Sequence, residues 1–164
     1  NFYMPADDKY IIVQPAKKEV DWDPKKALDV LEDVKSNMNV DDSRVYLTGL
    51  SMGGRGTFIL AAALPDYFAA LMPLSPHHDP FPYTELAEDV AHIPIWMSHG
   101  DSDNTSSYEM AAEMATLLEE LDADIEFRTV VGGEHGGWFG IYIDSEAMGW
   151  VLSKTRVMPE SSSS

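Results

Sequence analysis

Cysteine is absent from the 164-residue chain. That excludes disulfides, a thiolate nucleophile and cysteine-bound zinc, and it leaves the compartment open. No run of 18 apolar residues occurs, so no membrane-spanning helix is expected. Basic side chains are scarce: 11 Lys and Arg stand against 28 Asp and Glu, for a formal net charge of -17. A surface of that sign repels polyanions, so neither nucleic acid nor an anionic membrane is expected as a partner. The opening Asn1-Phe2-Tyr3-Met4-Pro5 has no basic region and no apolar core, so no signal peptide is read there. A phosphate-binding glycine loop and a strand-leading G-x-G-x-x-G are also missing, so no nucleotide is implied. The expectation is an enzyme or binding module without a cofactor.

What is present fits one domain over residues 1–158, with the serine run near 159–164 read as a disordered tail. The pattern alternates strands and helices. Short apolar, β-branched runs predict strands at 10–15, 44–49, 68–75, 93–98 and 124–131. Between them, Asp23 and Pro24 predict a helix start, and Ala27, Leu31, Val34 and Met38 share one helical face. Residues 53–64 predict a helix that ends before Pro65, and Ser106 and Glu109 are spaced as a capping box ahead of another. Residues 144–155 predict a closing helix despite an internal glycine. Strands separated by helices imply a three-layer α/β domain with a mainly parallel sheet. Ligands of such sheets sit beyond the carboxyl ends of the strands.

Reactive residues fall at those ends. Ser51 lies in Gly49-Leu50-Ser51-Met52-Gly53, a G-x-S-x-G sequence between a predicted strand and a predicted helix. That is the arrangement of a nucleophile elbow, in which side chains two positions either side of the serine would collide with strand and helix. Gly54 gives further room for close backbone approach. A serine hydroxyl needs a base to take its proton, and His135 lies in a glycine-rich loop after the last strand. The base needs a carboxylate to hold its tautomer, and Asp101 and Asp103 both follow the strand at 93–98. Either aspartate could instead cap the next helix.

His77 and His78 follow the strand at 68–75, where they would line a pocket rim. Adjacent histidines in a strand point to opposite faces, so no metal is expected. His92 and His99 read as structural, with His99 supporting the acid loop. Trp96 reads as core, Arg55 as a surface salt bridge, and Tyr142 and Trp150 as packing residues. Trp138 could stack on a substrate ring or pack the His135 loop.

The stretches 44–75, 93–114 and 132–152, in that order, resemble the core of an α/β-hydrolase. They are most similar to the esterase and predicted-peptidase group that includes phospholipase/carboxylesterase-like and feruloyl-esterase-like proteins. The resemblance covers roughly residues 10–153. It implies Asp103 as the acid, three positions after the His99-Gly100 pair, and His135 as the base, three before Trp138. It also implies an oxyanion donor at the Met52 N–H, a substrate contact at His77, and small carboxylic or plant-wall esters as substrates, with Trp138 the further candidate for substrate contact. It favours an extracellular setting.

Two departures stand out. Thr105-Ser106 replaces the family's valine-proline pair, so the acid loop is expected to differ in shape. Nothing before Tyr10 resembles the strand and loop that normally supply the second oxyanion donor. The chain reads as starting one strand late, which leaves three expectations open: Asn1–Asp8 fills that place, a partner chain fills it, or the enzyme is trimmed or weakened. An open sheet edge would also suit a homodimer. Two functions follow as expectations: a serine esterase working through an acyl-enzyme, or a non-catalytic or incomplete hydrolase-like module acting in protein interaction.

Overall fold

A computed structural model describes residues 10–157. The expected tail at 159–164 and the Asn1–Asp8 segment lie outside the described residues.

Four strands form one sheet in the order β1 (Tyr46–Leu50), β2 (Ala70–Leu74), β3 (Ile95–Gly100) and β4 (Ile125–Val130), and every neighbouring pair is parallel. Consecutive parallel strands need crossovers. These are supplied by α2 (Met52–Ala63), by a 3-10 turn at Thr84–Leu86 running into α3 (Ala87–Val90), and by α4 (Tyr108–Glu120). Helix α1 (Pro24–Asn37) precedes the sheet, and α5 (Trp138–Ile143) and α6 (Ser145–Ser153) follow it. Among the described residues no helix is long and apolar enough to cross a membrane.

Strand periodicity sorts the core into two layers. Leu71, Ile95 and Met97 point to one face, against Phe58 and Ala61 of α2 and Ala111, Met114 and Leu118 of α4. Ala70, Met72, Leu74 and Trp96 point to the other, against Tyr142, Ala147, Met148 and Val151 of α5 and α6. All five residues of β2 are buried, as a strand covered on both faces requires. Trp96 and Tyr142 are core residues, and Trp150 packs against the second cluster.

Three expectations are corrected. Residues 10–15 are not a strand. The segment lies outside any helix or strand, Tyr10 to Val13 are 37–52% exposed, and no described strand offers it a ladder of hydrogen bonds. β propensity alone does not make a strand without a partner. The face of α1 holds at Ala27, which is buried, and at Leu31, which packs on the core beside Leu28, but not at Met38, which is the exposed C-cap. Finally, Ser107, not Ser106, caps α4, its hydroxyl accepting from the Met110 N–H at 3.1 Å. The first helix begins as expected, with the Asp23 carboxylate accepting from the Lys25 and Lys26 N–H groups ahead of Pro24.

Candidate active site

Ser51 sits between β1 and α2 with φ 53° and ψ -115°, a left-handed conformation rare for a side-chain-bearing residue. Such a conformation costs about 1–3 kcal/mol and persists only where its surroundings over-determine it. Here they do. The Ser51 N–H donates to the Leu74 carbonyl at 2.9 Å, while the Ser51 carbonyl accepts from the Arg55 and His77 N–H groups, each at 3.0 Å. The turn is tight because a Cβ on Gly49 would stand 2.4 Å from the Gly53 carbonyl carbon. One on Gly54 would stand 2.8 Å from the Leu74 carbonyl oxygen. Gly53 differs from expectation: a Cβ there would meet nothing within 4 Å. The close approach is made by the Gly53 backbone and is relieved at Gly49.

His135 lies in the loop after β4. Its Nε2 is 3.0 Å from Ser51 Oγ and its Nδ1 is 2.7 Å from Asp103 Oδ2. With a carboxylate at Nδ1, that nitrogen carries the proton, and Nε2 is free to accept from the serine hydroxyl. The Trp138 and His135 rings meet in a T-shaped contact at 4.8 Å and 87°. Of the two readings of Trp138, packing of the histidine loop is the one the geometry displays.

Asp103 has a fully buried side chain. Its Oδ1 accepts from the Thr105 and Ser106 N–H groups, both at 2.8 Å. A proline in place of Ser106 could not make the second bond. Burial alone would push this carboxyl up, but the N–H of Ser106, the ring of His135 and the N–H of Thr105 outweigh it and hold it below its ordinary range. Asp101 has a different task. Its Oδ1 accepts from the Gly132 N–H at 2.6 Å, and the adjacent Ser102 N–H donates to the Gly133 carbonyl at 2.9 Å. A Cβ on Gly100 would stand 2.2 Å from that same Gly133 oxygen. The acid loop and the histidine loop are thereby clasped together at their bases. Neither aspartate caps α4.

The histidine pair also departs from expectation. His77 and His78 lie in a loop beyond β2, and their rings stack at 4.8 Å and 10° instead of pointing to opposite faces. His77 Nδ1 accepts from the Asp79 N–H at 3.2 Å, and His78 Nδ1 accepts from the Ser107 N–H at 3.3 Å, which ties this loop to the start of α4. Among the described residues no group of three or more His, Asp or Glu is arranged to hold a metal ion.

Sequence reasoning missed a brace on the other side of the elbow. Arg55 is buried, not on the surface. Its guanidinium pairs with Asp21, Nη2 to Oδ2 at 2.7 Å, and also donates to the Phe81 carbonyl. The neighbouring Trp22 donates from Nε1 to the Met52 carbonyl at 2.8 Å. That bond fixes the Met52–Gly53 peptide, at the start of α2. As the first residue of α2, Met52 has an N–H with no acceptor inside the helix, and it starts where Ser51 ends. The only advance signal of this brace was an arginine one turn into a glycine-rich helix, which had no visible partner in sequence. A cavity of about 460 Å³ lies beside the brace, lined by Trp22, Pro24, Ile59, Phe81 and Leu86, and none of Ser51, Asp103 and His135 lines it.

Comparison with known proteins places this geometry in context. The sequence pattern of the dienelactone hydrolase family matches residues 5–139. The structure of a thermostable esterase superposes with a TM-score of 0.74 at 27% identity, over 80% of this chain and 36% of that one. Poly(3-hydroxyalkanoate) depolymerase C of Paucimonas lemoignei is 44% identical over 46 residues, or 28% of this chain and 11% of that protein. The bifunctional acetylxylan esterase/xylanase XynS20E of Neocallimastix patriciarum is 29% identical over 80 residues, or 49% of this chain and 11% of that protein. The chain thus spans about a tenth of the curated relatives it matches.

Proposed function

We propose that this chain, which belongs to the dienelactone hydrolase family, cleaves carboxylic esters with Ser51 as nucleophile and an acyl-enzyme as intermediate. The observation that carries this reading is the unbroken series from Ser51 Oγ to His135 Nε2, 3.0 Å, and from His135 Nδ1 to Asp103 Oδ2, 2.7 Å. As Ser51 Oγ bonds to the ester carbonyl carbon, its proton passes to His135 Nε2. The carbonyl oxygen becomes an oxyanion, and we assign the Met52 N–H as one of its donors. Asp103 holds the imidazolium that forms. When the tetrahedral adduct collapses, the C–O bond to the alcohol breaks and His135 returns the proton to that alcohol. Water, deprotonated by the same nitrogen, then attacks the acyl-Ser51 carbonyl, and the acid leaves with Ser51 restored.

His77, whose N–H donates to the Ser51 carbonyl, is the residue we assign to flank the substrate. The family and the similarity to an esterase structure support small esters as the substrate class. The acetylxylan esterase relative directs the first substrate panel to acetylated sugars beside simple short-chain esters.

Hydrolysis of a short-chain chromogenic ester tests the reading. The parent turns over, and Ser51→Ala falls at least about a thousandfold. A fluorophosphonate probe labels the parent at Ser51 and leaves Ser51→Ala unlabelled. Equal rates in two folded samples would favour a non-catalytic module instead.

A further inference from the structure

A second histidine faces the same carboxylate. His99, the penultimate residue of β3, has a fully buried side chain. Its Nε2 stands 3.3 Å from Asp103 Oδ2, the oxygen that meets His135, and 3.3 Å from the Ser106 carbonyl oxygen. Both neighbours present lone pairs, so Nε2 must carry a proton. The other nitrogen, Nδ1, is buried with no hydrogen-bond partner among the described residues. A charged ring would bury a second N–H without an acceptor, so the geometry requires the neutral ring protonated at Nε2. Burial acts in the same direction and outweighs the pull of the Ser106 carbonyl and Asp103.

We infer that His99 is a positioning residue for the base: its one ring proton lies between Ser106 and Asp103 and fixes which carboxylate oxygen meets His135. The inference rests on the proposed role of Asp103 and His135. Asp103 Oδ1 is committed to the two N–H groups of its own loop. Oδ2 is left for His135, and the His99 proton approaches it from the strand side. This second positive edge disperses the charge on Oδ2. It keeps the carboxylate from rotating, and it limits how strongly Asp103 favours a protonated His135. The ionisable groups facing His99 are Asp103, His135 and Tyr108, whose ring meets the His99 ring edge-on at 5.9 Å and 80°. The Tyr108 hydroxyl is occupied by Thr129 Oγ1 on β4 at 2.8 Å.

The test compares His99→Asn with His99→Gln. A glutamine amide reaches the place of Nε2 and keeps the donor, whereas an asparagine amide stops short of Asp103. The first readout needs no substrate: the imidazole carbon–proton signal of His135 is followed through a pH titration by NMR. In His99→Asn the His135 midpoint moves upward by about half a unit or more relative to the parent, and His99→Gln returns it. The second readout is the pH profile of ester hydrolysis. In His99→Asn the acidic limb of kcat/KM moves to higher pH, and at pH 6 the rate falls severalfold more than at pH 9. A structural role alone would lower the whole profile without moving the limb. Equal His135 midpoints in folded His99→Asn and His99→Gln overturn the inference whatever the activity. A shifted midpoint in a protein that hydrolyses no ester sustains the positioning of His135 by His99 and sinks the esterase reading instead.

Discussion

Single atoms decide whether the elbow forms. Gly49 and Gly53 occupy equivalent places in the motif, yet only Gly49 is pressed against backbone. Gly49→Ala is therefore expected to destabilise the fold by about 2–4 kcal/mol and to abolish labelling of Ser51. Gly53→Ala keeps both within about 1 kcal/mol, because its Cβ enters open space and alanine favours the helix. Urea melts and the fluorophosphonate label measure the pair. Acid acts on two other residues. His99 is held below its ordinary 6.5, so below that pH the unfolded chain binds more protons than the folded one. Stability falls as pH drops from 6.5 through the lower folded value. Asp103 is held below its ordinary 3.8, so a second loss begins there and continues as pH falls further. Urea midpoints measured from pH 7 to pH 3 should decline in two stages, and His99→Gln should flatten the first.

At the scale of elements, the loops after β3 and β4 behave as one piece. Asp101→Ala removes the acceptor of the Gly132 N–H while leaving Asp103 and His135 in place. Asp101 is exposed, so its loss should cost about 1 kcal/mol of stability or less. The rate is expected to drop about tenfold in kcat with KM little changed, since His135 spends less time aligned with Ser51. Steady-state kinetics beside a thermal melt separates the two effects.

Legibility in the sequence follows the same division. The motif around Ser51 and the strand ends were readable because local spacing encodes them. The clasp and the Trp22–Arg55 brace were not, because each joins positions whose nearness exists only once the sheet has formed, whereas His99, four positions before Asp103, was readable as a support of that loop. Arg55 and Asp21 are 34 positions apart, and Gly132 and Asp101 are 31 apart. The capping serine was misplaced by one residue because Ser106 and Ser107 are chemically alike and only burial distinguishes them.

Considered whole, the molecule is a parallel sheet covered on both faces, and it carries a formal charge of -17. The sheet was legible because apolar runs separated by helical periodicity admit few other architectures. The exception is the run at 10–15, where propensity without a neighbouring strand yields no strand. The charge predicts a response to salt. Self-repulsion among carboxylates opposes compaction, and the screening length shrinks from about 10 Å at 0.1 M to about 3 Å at 1 M ionic strength. Thermal midpoints should rise between 0.05 and 1 M potassium chloride. A flat or falling series would show that local ion pairs, such as Lys35 with Asp42 at 2.8 Å, outweigh the global field.

Because Gly100, Asp101 and Ser102 lock onto Gly132 and Gly133, Asp103 and His135 are held from drifting independently. A constellation drawn from three loops therefore has the mechanical tolerance of a two-part joint. Only one gap, between that joint and the serine, must be kept in alignment as the molecule breathes, and changes elsewhere on the surface can be absorbed as long as they leave that gap alone.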